Sequence, residues 1–316
     1  MRNVLLFVSA VLLTLVLASC EQVTQIEQGE KRRDSRMLCE VKAKYSSRVI
    51  ADPKSSSTQG WFDDVINWIN DAATVAYEDL KGVPAGAGVG AAAGAVFGDP
   101  VTGAAVGGTI TGVLASIKAY NELPPIIGGG SAAGGTAQQT GELNRNHIRP
   151  CLDAPYSNPT KPDGIDSLGW IHNDGVLYAL DAIEKDPTLS IVQAVEKWAI
   201  HSRGYDSAFV TLLRPTMISI ASAQQLQLNP AVGFLARPAA YYGQTRPTES
   251  AYMTQLHEEM QMLYEGRYEF NAILDLIRLY RDNASSLPLS ANNVGLLRHE
   301  LTIYLYSLAL WGSNVN

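Results

Sequence analysis

The stretch GVPAGAGVGAAAGAVFG, residues 82–98, places glycine at 82, 86, 90, 94 and 98. Glycine costs a helix about 1 kcal/mol relative to alanine. A four-residue repeat is nevertheless meaningful only on a helix, where each step turns about 40° and the row stays near one face. A row without side chains is a groove, and a second helix can settle into it unusually closely. Asp99-Pro100 ends the first arm, because proline disfavours helix at the preceding residue and has no amide donor. A second segment carries Gly103, Gly107 and Gly112, with Gly108 beside them, and runs through VGGTITGVLASI to Ile117. The spacing predicts a hairpin of two glycine-rich helices, 84–98 and 100–117, packed on itself or on copies of itself. As ideal helices the arms reach about 22 and 27 Å, against roughly 30 Å for a hydrocarbon core. Two readings stay open: a hairpin that enters a bilayer, and a tightly packed hairpin surrounded by protein.

The first twenty residues set the compartment. Arg2 is a positive start, Leu5 to Leu17 an apolar run, and Leu17-Ala18-Ser19-Cys20 a small-residue end. That form is a secretion signal, too short for a membrane span. The residues Leu-Ala-Ser-Cys resemble the lipobox of bacterial lipoproteins. The resemblance implies that residues 1–19 are removed and that lipid is attached to Cys20. Glu21 after the cysteine, in place of Asp, leans the resemblance toward the outer membrane of the envelope. The glycine stretch over 82–117 in turn resembles glycine-zipper segments of bacterial envelope lipoproteins and of some secreted membrane-active peptides. With Cys20 taken by lipid, Cys39 and Cys151 remain. An oxidising envelope favours their pairing. The ring would hold 113 residues and, in the chain-entropy account, stabilise the fold by about 4–5 kcal/mol. Two reduced, unrelated thiols are the alternative.

Hydrophobic residues make up 46% of the chain and charged residues 17%, enough to bury a core. Loss of the leader removes Arg2 and takes the net charge from −7 to −8. That acidity argues against nucleic acid as a partner and against electrostatic binding to anionic membrane surfaces. Residues 20–60 are polar, with GEKRRDSR and DPKSSSTQG inside them, and read as a lipidated flexible tether. Trp61, Val65, Trp68, Ile69 and Ala72 then recur at helical spacing, opening a 61–120 unit that closes with the hairpin. Residues 121–165, with PPIIGGGSAAGG and APYSNPTKPDG, read as a linker. From 166 to 316 helical periodicity takes over and no alternating strand pattern of any length appears. The fold class expected is all-α: a glycine-rich helical hairpin and a C-terminal domain of about six helices.

Chemistry is sparse. His172 and Asp174 are two residues apart and point to different sides of a helix, a poor dyad. His257-Glu258-Glu259 sits in HEEMQ, with Gln261 where a zinc motif needs a second histidine. A ligand set assembled in space from His172, His257 and His299 has no sequence pattern behind it. No nucleophile elbow, Walker loop or dinucleotide fingerprint occurs. Tyr241-Tyr242, Tyr264, Tyr268, Tyr280, Tyr304 and Tyr306 crowd the last third and, at helical spacing, read as core. The expectation is therefore no catalytic residue, no metal and no cofactor. Site residues are Cys20 for lipid attachment, Cys39 and Cys151 as a disulfide candidate, and Gly82, Gly86, Gly90, Gly94, Gly98, Gly103, Gly107 and Gly112 for helix packing. Expected partners are the membrane, through the lipid, and a second copy or another envelope protein. A non-enzymatic envelope lipoprotein with a binding or assembly role ranks first. A membrane-active, pore-forming or toxin-like protein ranks second, and an envelope hydrolase third.

Overall fold

The glycine hairpin forms, and the other described helices pack around it. The computed structural model describes residues 35–46, 59–96, 98–122, 164–223, 246–266 and 268–312. Cys20, Cys151, Tyr241, Tyr242, the leader and residues 123–163 of the expected linker lie outside the described residues. Nine α-helices make up the described architecture, with no β-strand among these residues. They are α1 (Arg36–Tyr45), α2 (Gln59–Val96), α3 (Pro100–Glu122), α4 (Asp166–Lys185), α5 (Ile191–Lys197), α6 (Ser207–Ser222), α7 (Pro247–Glu265), α8 (Phe270–Asn283) and α9 (Ala291–Gly312). The all-α class and the six C-terminal helices match the sequence pattern.

The first arm differs from its expected form. The amphipathic segment from 61 and the glycine arm are one helix of 38 residues, α2, with Pro84 inside it. Such a helix is about 57 Å long. Pro84 gives up the bond to the Leu80 carbonyl, but Leu80 and Val83 before it are fully buried and Ala87 after it is buried, so packing on both sides of the proline keeps the helix going. The stripe Trp61 to Ala72 lies in this helix, its side chains outside the described residues.

The turn follows from three residues. Gly98 adopts φ +86°. Its amide donates to Ala95 O at 3.3 Å and the Asp99 amide to Gly94 O at 2.9 Å, a Schellman stop that needs a left-handed residue. Asp99 then caps α3, its Oδ1 accepting from the Thr102 amide at 3.0 Å, with Pro100 in the first helical position. The Thr102 hydrogen bonds hold the Asp99 carboxyl below its ordinary range.

The helices share one core. α9 lies along α2, α4 packs on α3 and α9, and α6 touches both arms. Leu80, Ile110, Leu114 and Ile117 of the hairpin belong to the same buried cluster as Val176, Trp198, Leu301, Tyr304 and Trp311. Tyr120 of α3 stacks on Trp311 of α9, with centroids 4.8 Å apart and 22° between planes. Each buried Leu or Ile contributes about 1.5–3 kcal/mol relative to exposure. Hairpin and C-terminal helices therefore hold each other in place.

Residues 36–45, inside the stretch read as a flexible tether, form α1. Ser35 accepts from the Leu38 amide at 3.1 Å as its cap, and the Ser35 hydroxyl donates to Glu259 Oε2 at 2.8 Å. The Tyr45 hydroxyl donates to Asp275 Oδ2 at 2.7 Å, and Lys44 pairs with the same carboxylate. Leu38, Cys39, Val41 and Tyr45 are buried, and α1 packs on α8. Polar neighbours on both sides hid this short stripe. Cys39 is the one cysteine among the described residues, so no disulfide pair is seen there.

Candidate functional site

The two arms of the hairpin meet along antiparallel small-residue rows. Gly82, Gly86, Gly90 and Gly94 of α2 face Ala115, Thr111, Gly107 and Gly103 of α3. A Cβ added at Gly82 would lie 2.6 Å from Thr111 O, at Gly86 2.7 Å from the Gly107 carbonyl carbon, and at Gly94 2.9 Å from Gly103 Cα. From the other arm, a Cβ at Gly103 would lie 2.7 Å from Gly94 Cα and at Gly107 2.8 Å from Gly90 Cα. Real Cβ atoms essentially never come within 3.0 Å, so backbone touches backbone along the whole row. The Thr111 hydroxyl sits 2.7 Å from Gly82 O across the interface and 2.9 Å from Gly107 O on its own helix.

Two of the expected packing glycines do something else. Gly98 is the left-handed turn residue, with nothing near its added Cβ. Gly112 has left the row: its added Cβ would be in ordinary contact with His172 Cδ2 and Val83 Cγ2 at 3.4 Å and Ile303 Cγ2 at 3.6 Å. Thr111 and Ala115 stand in for later glycines. Their spacing, 103, 107, 111 and 115, could have been read once small residues counted equally with glycine.

Behind the hairpin lies a polar network that sequence reasoning missed. Asp79 of α2, Ser116 of α3, and His172 and Asn173 of α4 are all buried. Ser116 Oγ donates to Asp79 Oδ2 at 2.8 Å, and His172 Nε2 is 3.4 Å from the same oxygen. Asn173 Nδ2 donates to Tyr306 O at 3.0 Å, which turns its Oδ1 toward His172 Nδ1 at 3.1 Å. His172 therefore holds a proton on Nδ1. Burial pushes the Asp79 carboxyl above its ordinary range, and His172 pulls it back. Asp79 Oδ1 and Ser307 Oγ are buried without a hydrogen-bond partner.

Serine, histidine and aspartate together invite comparison with a nucleophilic triad, but the order is wrong. In a triad the carboxylate holds one ring nitrogen and the serine donates to the other. Here Ser116 donates to the carboxylate itself, and Ser116 and Asp79 share the Nε2 side of His172, 3.5 Å from the serine. His172 and Asp79 have no solvent exposure. The arrangement fixes helices; it does not activate Ser116.

The other two histidines lie apart in role. His299 of α9 is buried, its Nε2 3.2 Å from Thr109 Oγ1. The Thr109 hydroxyl donates to Ala105 O at 2.8 Å, so His299 is the donor to Thr109. Burial, with His172 second, pulls the His299 imidazole down to about 4. His257 Nε2 is 3.1 Å from the Tyr304 hydroxyl. Among the described residues, no three His, Cys, Asp or Glu side chains are grouped so that they could hold a metal ion. Asp174 faces away from His172: its Oδ2 accepts from Trp198 Nε1 at 2.8 Å and pairs with Arg203 at 2.7 Å. Tyr280, Tyr304 and Tyr306 are core residues, and Tyr264 and Tyr268 are half-buried.

Among the described residues, the hairpin tip presents an open apolar surface. Gly94, Gly103 and Val106 join Tyr205, Asp206 and Phe209 around an apolar groove of about 250 Å³. Val96 and Val101 at the tip are 77% and 78% exposed, and Leu212 and Ile218 of α6 are about half exposed. The stretch Pro100–Asn121 is long and apolar enough to cross a membrane by length and composition, with a mean hydropathy of 1.4, and 67% of that window is buried inside the molecule.

No protein-family model matches this chain, and neither a curated protein nor a solved structure does.

Proposed function

We propose that this chain is a lipid-anchored protein of the bacterial cell envelope, held at the outer membrane through Cys20, with a binding or assembly role and no catalytic one. The observation that supports the reading is the hairpin's geometry. Its glycine rows close on each other, so what it presents outward is an apolar tip, Val96 and Val101, beside the groove against α6. Exposed apolar side chains grouped at a projecting turn suit a protein partner. The test has two parts. Cys20→Ala should move the protein from the membrane fraction to the soluble one; retention in a carbonate-washed pellet would make the hairpin itself the anchor. A photo-crosslinking side chain at 96 or 101 should trap one defined envelope protein or a second copy. A tip that yields no protein adduct in intact cells would remove the assembly role.

The second reading, a membrane-active protein, draws on the length and hydropathy of Pro100–Asn121. Lipid-free protein added to dye-loaded vesicles tests it: leakage supports the reading, and intact vesicles reject it.

A further inference from the structure

α3 carries a second set of small residues, Gly108, Gly112 and Ser116, turned away from the glycine rows. A Cβ at Gly108 would lie 2.9 Å from His299 Cε1, and one at Gly112 3.4 Å from His172 Cδ2. Ser116 Oγ is 3.5 Å from His172 Nε2. The hairpin thus rests directly on two imidazoles, one from α4 and one from α9. We propose that His299 is an acid-sensitive latch, a residue whose protonation loosens the glycine hairpin from α4 and α9. The inference goes beyond the assembly role and does not depend on it.

The charges around the latch are few. From α2 the cluster receives Asp79. From α3 it receives no titratable group between Gly107 and Ile117. From α4 it receives His172, while Asp174 is turned to Trp198 and Arg203. Next to His299 on α9, Glu300 is paired with Arg246 at 2.6 Å, and Arg246 also binds Glu249 at the start of α7. On α6, Arg214 is paired with Glu196 of α5. Asp79 already faces His172, so a proton on His299 brings a positive charge with no carboxylate of its own. Buried charge without a partner is strongly unfavourable.

Opening the hairpin hydrates His299 and returns it to the ordinary imidazole range near 6.5. The open form then binds the proton better than the closed form. Between about pH 6.5 and 4 the His299 proton by itself raises the opening equilibrium about tenfold for each unit of acidification, and the Asp79 carboxyl, raised by burial, opposes part of that gain. Opening also uncovers the apolar side chains Val83, Ile110, Val113 and Ile117, which are fully buried when closed. Acid would thereby expose a membrane- or partner-seeking surface that neutral pH hides.

Amide hydrogen exchange tests the latch, with rates corrected for the intrinsic effect of pH. Protection in 107–117 and 297–308 should fall as the pH drops below 6, by up to about 30-fold at pH 4.5, while α8 keeps its protection. His299→Gln, which keeps a donor for Thr109, should flatten that profile. Protection that stays constant to pH 4.5, or an unchanged slope in His299→Gln, overturns the proposal. Should that variant fail to fold, the His299 resonance in the wild-type protein decides. An imidazole that stays neutral to near pH 4 while α3 is protected supports the latch. One that titrates near pH 6.5 with α3 still protected overturns it.

Discussion

Alanine at Gly86, inside the four-residue repeat, and at Gly88, two residues on and outside it, should have opposite effects. At Gly86 an added methyl carbon would sit 2.7 Å from the Gly107 carbonyl carbon, and nearer still to its oxygen and to Thr111 Oγ1. Carbon atoms pack at about 3.5–4.0 Å, so α2 and α3 must separate by about 1 Å where backbone meets backbone. A gap of 0.5–1 Å forfeits roughly a quarter to a half of each contact's attraction, and overpacking of this kind costs about 1–3 kcal/mol. Alanine's better helix propensity offsets about 1 kcal/mol. The separation also stretches the 2.7 Å bond from Thr111 to Gly82 O, worth about 1 kcal/mol. Gly86→Ala should therefore destabilise by about 2 kcal/mol. Gly88 has nothing within 4 Å of its added Cβ, so Gly88→Ala should stabilise by up to about 1 kcal/mol. Urea unfolding followed by circular dichroism reads both, with equal m-values as the check on the denatured state. If Gly86→Ala matches Gly88→Ala, the close approach of the two arms does not hold the hairpin together.

Other perturbations probe the interior and the docked helix. Asp79→Ala leaves the Ser116 hydroxyl buried without its acceptor and His172 without its neighbouring carboxylate and should cost about 3–5 kcal/mol, whereas Asp79→Asn should cost markedly less; chemical denaturation of the pair measures the difference. The depressed His299 imidazole contributes a sign that can be worked out. Its folded value, about 4, lies below the ordinary 6.5, so the folded state binds fewer protons. Stability is full above pH 6.5 and falls by about 3 kcal/mol as pH drops toward 4. The raised Asp79 carboxyl works in the opposite direction, since acid relieves its burial. Urea midpoints at pH 7.0 and 4.5 in wild type and His299→Gln separate the two. Asp275→Ala removes the acceptor of both Lys44 and Tyr45 and should raise exchange in α1 at least tenfold while α9 is unchanged, as mass spectrometry of the two peptides would show. Val96→Asp should change stability by under about 0.5 kcal/mol yet abolish crosslinking from a photo-reactive side chain at 101.

The helices were legible because their signals are local. Ser190 and Gln193 form a capping box for α5, Asp206 caps α6, and Pro247 opens α7. Stripes such as Leu297, Leu301, Tyr304, Leu305 and Leu308 fix one face of α9 against the core. α1 was missed because ten residues among polar neighbours carry a weak pattern. What forms it is distant in sequence, Glu259 and Asp275. The amphipathic segment from 61 and the glycine arm from 84 run together as one helix through Pro84 because tertiary packing outweighed the lost hydrogen bond. The buried network was invisible for the same reason: Asp79, Ser116, His172 and Tyr306 are spread over more than two hundred positions and no short motif joins them.

The sequence by itself determined that the chain is helical and that its centre is a hairpin with a turn at Asp99-Pro100. Those features depend on residues within one or two turns of each other, where propensity, caps and proline geometry act. Only the tertiary structure decided which faces of the hairpin are covered. Gly112 left the glycine row, Thr111 and Ala115 joined it, and two histidines came to rest on the bare side of α3. A face becomes an interior by what packs against it, and that depends on α4 and α9, which the sequence places far away.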